Sequence, residues 1–323
     1  GHFLLRGPLR GVLQSVAASR TRRPAAGMWW PADRARPAVP GMDRALRERE
    51  AYVLDLLLRR SREDLHRLAA LWAEDELRTL RVLIRGAAAG VPSERRLAGL
   101  SPPPGWDRST LSEAARADGP RGVADALEAA GHPAAGGLRA ALESGAGADL
   151  IRLEAAAARA VLDRALRPAR RVDPGLRALA ADAVDLANAW TALLAPGWRE
   201  EAEAEDLFLE GGRHLDSAAF RAAAAEDDAE RRRLRVAEAL SDGPLGGPFA
   251  DLAVPTGALE RAVLRSRARA AARAALAAPL TAAPVIAFRL RLRAATVALR
   301  RIARGIGLGA PVERRSPGLA GAA

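Results

Sequence analysis

The chain contains no lysine and no cysteine. Without cysteine there is no disulfide, no thiolate nucleophile and no cysteine-ligated metal. Without lysine, all 50 basic residues are arginine. A replacement that complete reads as coding bias rather than as a choice of bidentate chemistry at each site. Aromatic residues make up only 4% of the chain, and Tyr52 is the one tyrosine. That scarcity removes the stacking platforms expected of a single-strand nucleic-acid binder. The four histidines, His2, His66, His132 and His214, lie far apart, and no two share helical ligand spacing. No run of about 20 apolar residues is present; the longest candidate, 274–288, is interrupted by Pro279, Thr281 and Pro284. Arg6, Pro8 and Arg10 likewise interrupt any apolar region of a signal peptide. These absences predict a cytoplasmic, non-catalytic chain with no cofactor and no metal, able to dock on a membrane protein.

What is abundant is Ala, Leu, Arg and Glu, residues that lose little side-chain entropy in a helix. The fold class predicted is all-α. The net charge of +11 is unevenly placed. Residues 1–41 hold seven arginines and one acid, Asp33, whereas residues 42–258 carry more acids than arginines. Residues 259–323 hold 13 arginines against Glu260 and Glu313. A basic third part on an acidic body suits an adaptor with two different faces, and equally suits solvated helix surface.

Regular helical patterning starts just after Met42, which sets off residues 1–41 as a weakly ordered Arg/Pro-rich segment, a misplaced start or an incomplete domain. Stripes at helical spacing follow: Leu57, Leu65, Leu68 and Trp72, then Leu77, Leu80, Leu83 and Ile84, with a stop expected at Gly86 and Pro92. Gly/Pro breaks at 119–120, 131–133 and 145–147 cut short helices. Two longer helices are expected next, one leading to Pro168 and one ending before Pro196. An acidic run, Glu200–Asp206, reads as a solvated turn or a partner patch, and Gly243–Pro248 reads as a linker. The expected organisation is three helical modules, 42–145, 146–245 and 246–323.

The sharpest feature is a self-match. Residues 80–96 (LRVLIRGAAAGVPSERR) and 299–315 (LRRIARGIGLGAPVERR) agree at nine of 17 positions, at an offset of 219. The identities include Arg85/Arg304, Gly86/Gly305, Gly90/Gly309 and Pro92/Pro311. An arginine in the last turn complements the helix dipole, a glycine permits the left-handed stop, and proline prevents a restart. Asp185, Asn188, Trp190 and Leu193 form a weaker middle copy. Asp185 and Asn188 are three apart on one face, placed either to hydrogen-bond neighbouring backbone or to meet a partner. Gly305–Gly309 follows a helix rather than a strand and is read as a helix stop, not a nucleotide loop.

Taken in order, "DELRTLRVLIRGAAAG", "LIRLEAAAARAVLDRAL…DAVDLANAWTALL" and "PLTAAPVIAFRLRLRAATVALRRIARGIGLGAP" resemble the C subunits of V/A-type ATPases, the family that also holds the d subunits of eukaryotic V-type ATPases. Glu154 and Leu162-Asp163-Arg164 fit its middle helix, Asp185 and Asn188 its Asp-Asn pair, and Pro279, Leu280, Ala283, Pro284 and Val285 its turn. Thr79 and Ala298 stand where Asn is expected, and Glu76 and Ala295 where the acid is. The resemblance implies a funnel of three pseudo-repeated helical modules with pseudo-threefold symmetry. It implies a central-stalk rotor adaptor, binding the shaft subunits D and F and resting on the membrane proteolipid ring. Such a chain carries torque for ion transport, the proton being the ion expected, as a monomer within the complex and without contact to nucleic acid. The alternatives are a basic helical nucleic-acid binder and a generic helical scaffold.

Overall fold

In the computed structural model the described residues are 39–61, 65–98, 100–145, 149–194 and 205–307, and among them every regular element is a helix. In chain order they are α1 (Val39–Ser61), a 3₁₀ helix (Leu65–Leu71), α2 (Ala73–Ala88), α3 (Ser93–Ala98), α4 (Arg108–Arg116), α5 (Gly119–Ala129), α6 (Ala134–Glu143), α7 (Leu150–Val172) and α8 (Pro174–Leu194). There follow α9 (Ser217–Ala224), α10 (Ala229–Ala239), α11 (Gly246–Ala250), α12 (Thr256–Ala277) and α13 (Ala283–Gly307). The all-α expectation holds over these residues. Residues 1–38, most of the segment set apart in the sequence, lie outside them, as does 308–323, with Gly309 and Pro311.

The chain divides into two compact units. The smaller takes residues 1–63 and 295–323, so its described parts are α1 and the end of α13. In α1, Leu54 is buried and Tyr52 exposed, and Asp55 pairs with Arg59 one turn on at 2.9 Å.

The larger unit is residues 64–294. Its helices start where an aspartate takes up the orphan N–H groups of a first turn. Asp107 accepts from Thr110 N at 2.6 Å, Asp149 from Ile151 N at 2.9 Å, Asp216 from Ala219 N at 2.8 Å and Asp228 from Arg231 N at 2.8 Å. The long helices α7 and α8 pack on each other, and α7 also packs on α2, α6 and the 3₁₀ helix. Small residues make this possible: Ala157, Ala158 and Ala165 of α7, and Ala180, Ala183 and Ala187 of α8, are all buried. A Cβ on Gly137 would stand 3.2 Å from Ala156 O, so α6 also approaches α7 closely. The far part of the core is aromatic. Phe220 and Phe249 are fully buried with Leu207, Leu215, Leu240, Leu245 and Val263, and Trp190 stands 5.8 Å from Phe249.

Several helix boundaries depart from the sequence reading. The stripe Leu57, Leu65, Leu68 and Trp72, expected on one helix, is divided between α1, the 3₁₀ helix and the residue that precedes α2. Gly86 does not end its helix; α2 runs to Ala88, and the left-handed stop is Gly90 at φ 61°. Gly86 instead gives room to Arg96, whose Cδ and Cγ lie 2.6 and 2.7 Å from where a Cβ would sit. Buried Arg96 then reaches across to donate to Ala117 O at 3.0 Å. Gly305 is also helical, since α13 continues to Gly307. Pro168 lies inside α7, which ends at Val172. Proline forfeits its own N–H bond there and crowds the carbonyl four residues back, but buried Ala165, Leu166 and Ala169 hold that turn against the core. Finally, the expected linker Gly243–Pro248 is ordered and largely built into α11. Buried Arg233 holds it, donating to Pro248 O (3.0 Å), Phe249 O (2.8 Å), Asp251 O (2.6 Å) and Val254 O (2.6 Å).

Candidate functional site: a buried ionic frame

The first turn of α2 is Glu74-Asp75-Glu76, three carboxylates at the positive end of a helix dipole. Each meets cations carried in from far along the chain. Glu74 pairs with Arg267 of α12 at 2.6 Å and with Arg293 of α13 at 2.8 Å. Asp75 pairs with Arg289 of α13 and with Arg78 at 3.3 Å. Glu76, fully buried, pairs with Arg164 of α7 and lies 2.7 Å from His132 Nε2. Ala134 N donates to His132 Nδ1 at 3.1 Å, so Nδ1 is the acceptor and Nε2 carries the proton given to Glu76. Trp106 closes over this histidine edge-on at 4.8 Å.

The electrostatics follow from burial. The desolvation of Glu74 opposes its ionisation, but Arg267, Arg293 and Arg289 outweigh it and hold the carboxyl down at about 2. Arg267 is itself buried, which lowers its pKa, yet Glu74 turns the balance and raises it. The cluster is therefore one of mutually dependent charges: either sign left alone would be a desolvated ion.

A second pair joins two residues that the sequence singled out separately. Arg85 of α2 grips Glu154 of α7 through two nitrogens, Nη2 at 2.8 Å from Oε2 and Nε on Oε1. Arg81, one turn earlier, adds a contact at 3.5 Å. The hydrogen bond to Glu154 raises the pKa of Arg85, whereas burial lowers that of Arg81.

The third part is the Asp-Asn pair of α8. Asp185, fully buried, accepts from three consecutive backbone amides, Arg213 N (3.0 Å), His214 N (3.2 Å) and Leu215 N (3.2 Å). Asn188 both donates to Leu209 O and accepts from Leu209 N at 2.9 Å. The loop 209–215, buried at Leu209 and Leu215, is thus held through its amides at 209 and 213–215. Gly212 is required at this contact, because a Cβ there would fall on Asp185 Oδ1. Of the two roles open to this pair, the structure shows internal backbone bonding. Asp182, Asp185 and His214 bring one potential ligand atom each within 4.8 Å. Burial raises the pKa of Asp182, Arg213 stands 3.8 Å away, and the oxygens of Asp185 are taken by amides. Such surroundings favour neutralisation of Asp182 over holding a cation.

The remaining expected residues are more peripheral. Among the described residues Asp163 pairs with Arg167, at 3.9 Å on the surface. Pro92 and Pro279 are exposed in their turns, Pro284 lies at the start of α13, and the side chain of Arg304 lies outside the described residues. The turn before α13 is clasped by a residue the sequence reading missed. Asp173 Oδ1 accepts from Gly175 N (2.7 Å) to start α8, and its Oδ2 accepts from Ala282 N (3.1 Å). Glu74, Asp75, His132, Arg267, Arg289 and Arg293 were missed as well. Their one visible signal is the acidic run in a first turn matched by Arg289-x-Arg291-x-Arg293 in a segment free of acids.

The model of the family described as ATP synthase (C/AC39) subunit matches residues 32–316. Two curated relatives, each named as the C subunit of a V-type ATP synthase, come from two strains of Thermus thermophilus, and each is 34% identical over 185 residues. The match covers 56% of this chain and 55% of theirs, so the chain spans about half the length of the curated relatives it matches.

Proposed function

The chain belongs to the ATP synthase (C/AC39) subunit family, and from that premise we propose that it is the central-stalk rotor adaptor of a V-type ATP synthase. In this reading it links the shaft subunits D and F to the membrane proteolipid ring and transmits torque for ion transport, without catalysing a reaction itself. It is a peripheral component held at the membrane through the ring. The observation that carries the reading is the family match over 32–316, with the family motifs in order within it. The site adds physical support. Glu76, Arg85, Glu154, Arg164, Asp185 and Asn188 are spent on contacts within the chain, which stiffen helices against one another. A torque-bearing adaptor needs such stiffness. The modules 42–145, 146–245 and 246–323, arranged as a pseudo-threefold funnel, are part of the same proposal. No described helix is long and apolar enough to cross a membrane, which suits attachment through another component.

The test is reconstitution. A complex assembled with this chain should couple ATP hydrolysis to ion pumping across a vesicle membrane. The complex without it should hydrolyse ATP but not pump, and a pull-down in mild detergent should recover shaft and ring together only when the chain is present. Full coupling without the chain, or recovery of neither partner by a folded chain, overturns the proposal. A gel shift with duplex DNA at physiological salt would instead revive the nucleic-acid alternative.

A further inference from the structure

The second half of α12 stands apart from the core. From Arg269 to Ala277 not one residue is buried. This end of the helix carries Arg265, Arg269 and Arg273, all exposed, at i, i+4 spacing. None of the three has a hydrogen bond or ion pair among the described residues, although arginines nearby, Arg267 and Arg293, are both paired. Leu276 is 85% exposed and Leu280, just beyond the helix, is 69% exposed, the two highest values among the described large apolar residues. At about 100° per residue, Arg265, Leu276, Arg269 and Arg273 fall within about 80° of one another, so they form one face about 17 Å long. The segment from Arg261 to Val312 contains no acidic residue at all.

Resting on the reading that this chain is one component of a larger complex, we infer that this face of α12 docks an acidic helical segment of a partner protein. The ladder repeats every four residues, which is the spacing at which one face of a helix presents carboxylates. A helix laid along α12 meets each arginine with a carboxylate, and Leu276 supplies the apolar contact at the end. The composition of the face sets it apart from a membrane-inserting one. An interfacial helix buries a broad apolar face, whereas here the stripe holds a single large apolar side chain. Arginine also suits bidentate pairing with carboxylates. A surface left with like charges at this spacing is destabilising in isolation, and an acidic partner relieves it.

The test compares the wild-type chain with Arg265→Glu/Arg269→Glu/Arg273→Glu. A charge-matched variant, Arg116→Glu/Arg121→Glu/Arg177→Glu, changes exposed arginines elsewhere. Binding of each full chain to the ATP synthase complex lacking this component is followed by fluorescence anisotropy over a salt series. The ladder variant should bind at least tenfold more weakly and lose most of the salt dependence, while the charge-matched variant stays within threefold of wild type. A photo-reactive residue at Ala272 should cross-link to a protein segment with Asp or Glu at i, i+4 spacing. Equal binding by the ladder variant, or cross-links to lipid in vesicles containing phosphatidylserine, overturns the inference and leaves the rotor-adaptor reading standing. If the wild-type chain itself does not join the complex, the rotor-adaptor reading fails, and a synthetic helical peptide with a glutamate ladder decides the inference. Binding at least tenfold tighter to wild type than to the ladder variant sustains it; equal binding sinks it. Arg265→Gln/Arg269→Gln/Arg273→Gln, with far-UV circular dichroism unchanged from wild type, should also bind at least tenfold more weakly, and wild-type binding by it overturns the inference.

Discussion

Replacing Glu74 by glutamine removes one charge from the buried frame while keeping side-chain shape, and the consequence can be worked through from the structure. The ordinary carboxyl value of 4.5 is lowered to about 2 in the folded chain. At about 1.4 kcal/mol per pH unit, that is about 3 kcal/mol of stability carried by the ionised form. Glu74→Gln should therefore lose about 3 kcal/mol at pH 7, where buried Arg267 would lose its paired carboxylate and Arg293 its 2.8 Å partner. This lies in the range for breaking a buried ion pair, about 3–5 kcal/mol. The carboxyl is depressed, so its contribution is complete above 4.5 and is lost as pH falls towards 2. At pH 3 the gap between wild type and variant should have shrunk to about 1 kcal/mol. Urea unfolding followed by circular dichroism reads both effects. With a slope of about 3 kcal/mol per molar, the midpoint should fall by about 1 M at pH 7 with the slope unchanged. A midpoint change under about 0.3 M, or a gap as large at pH 3 as at pH 7, would refute the assignment of Glu74 as the anionic centre of the cluster.

Further substitutions probe other parts of the structure. Gly212→Ala, which drives a methyl onto Asp185, should cost about 2–4 kcal/mol, whereas Gly247→Ala, with open space around it, should be neutral or slightly stabilising in thermal unfolding. Gly86→Ala should destabilise by about 1–3 kcal/mol through its collision with Arg96; in a double-mutant cycle most of that loss should vanish on an Arg96→Ala background, and additive losses would show that the glycine serves some other purpose. Asp182→Asn should behave in the opposite sense to Glu74→Gln, because burial raises this carboxyl. The wild type then loses stability relative to the variant as pH rises through the ordinary aspartate range, and a variant less stable than wild type at neutral pH would contradict it.

The helices were legible because their signals are local. Glycines at positive φ at Gly119, Gly131 and Gly145, and apolar stripes every three or four residues, act within a few residues of themselves. Gly86 and Pro168 misled because their local meaning was overruled by a distant neighbour, Arg96 crossing over one and the α7 core face holding the other. The ionic frame was mostly illegible for the same reason. Arg293 lies 219 residues from Glu74, and Arg289 lies 214 from Asp75, so no spacing rule connects them. Only the Asp185–Asn188 pair was singled out beforehand with its eventual role among the alternatives, since a carboxylate and an amide three apart on one helix face can hold a loop wherever that loop comes from.

The repeat adds a constraint that the individual contacts do not. In the repeat read from the sequence Glu76 and the Asp185 of its weaker middle copy align, and both are fully buried carboxylates. Their donors have nothing in common: a guanidinium and an imidazole for Glu76, three loop amides for Asp185. A buried anion is costly without donors, so a position that stays acidic while its donors are exchanged must be tied to each local solution separately. The longer Glu76 reaches side chains on α7 and in the turn before α6; the shorter Asp185 can meet only backbone brought close to α8, which is why Gly212 has to lack a side chain. In the third copy the position is Ala295, and no anion has to be satisfied there. An acid at this position thus needs its own facing donors, side chains for Glu76 and loop amides for Asp185, whereas the two segments that share their helix-end sequence, 80–96 and 299–315, do not share the acid.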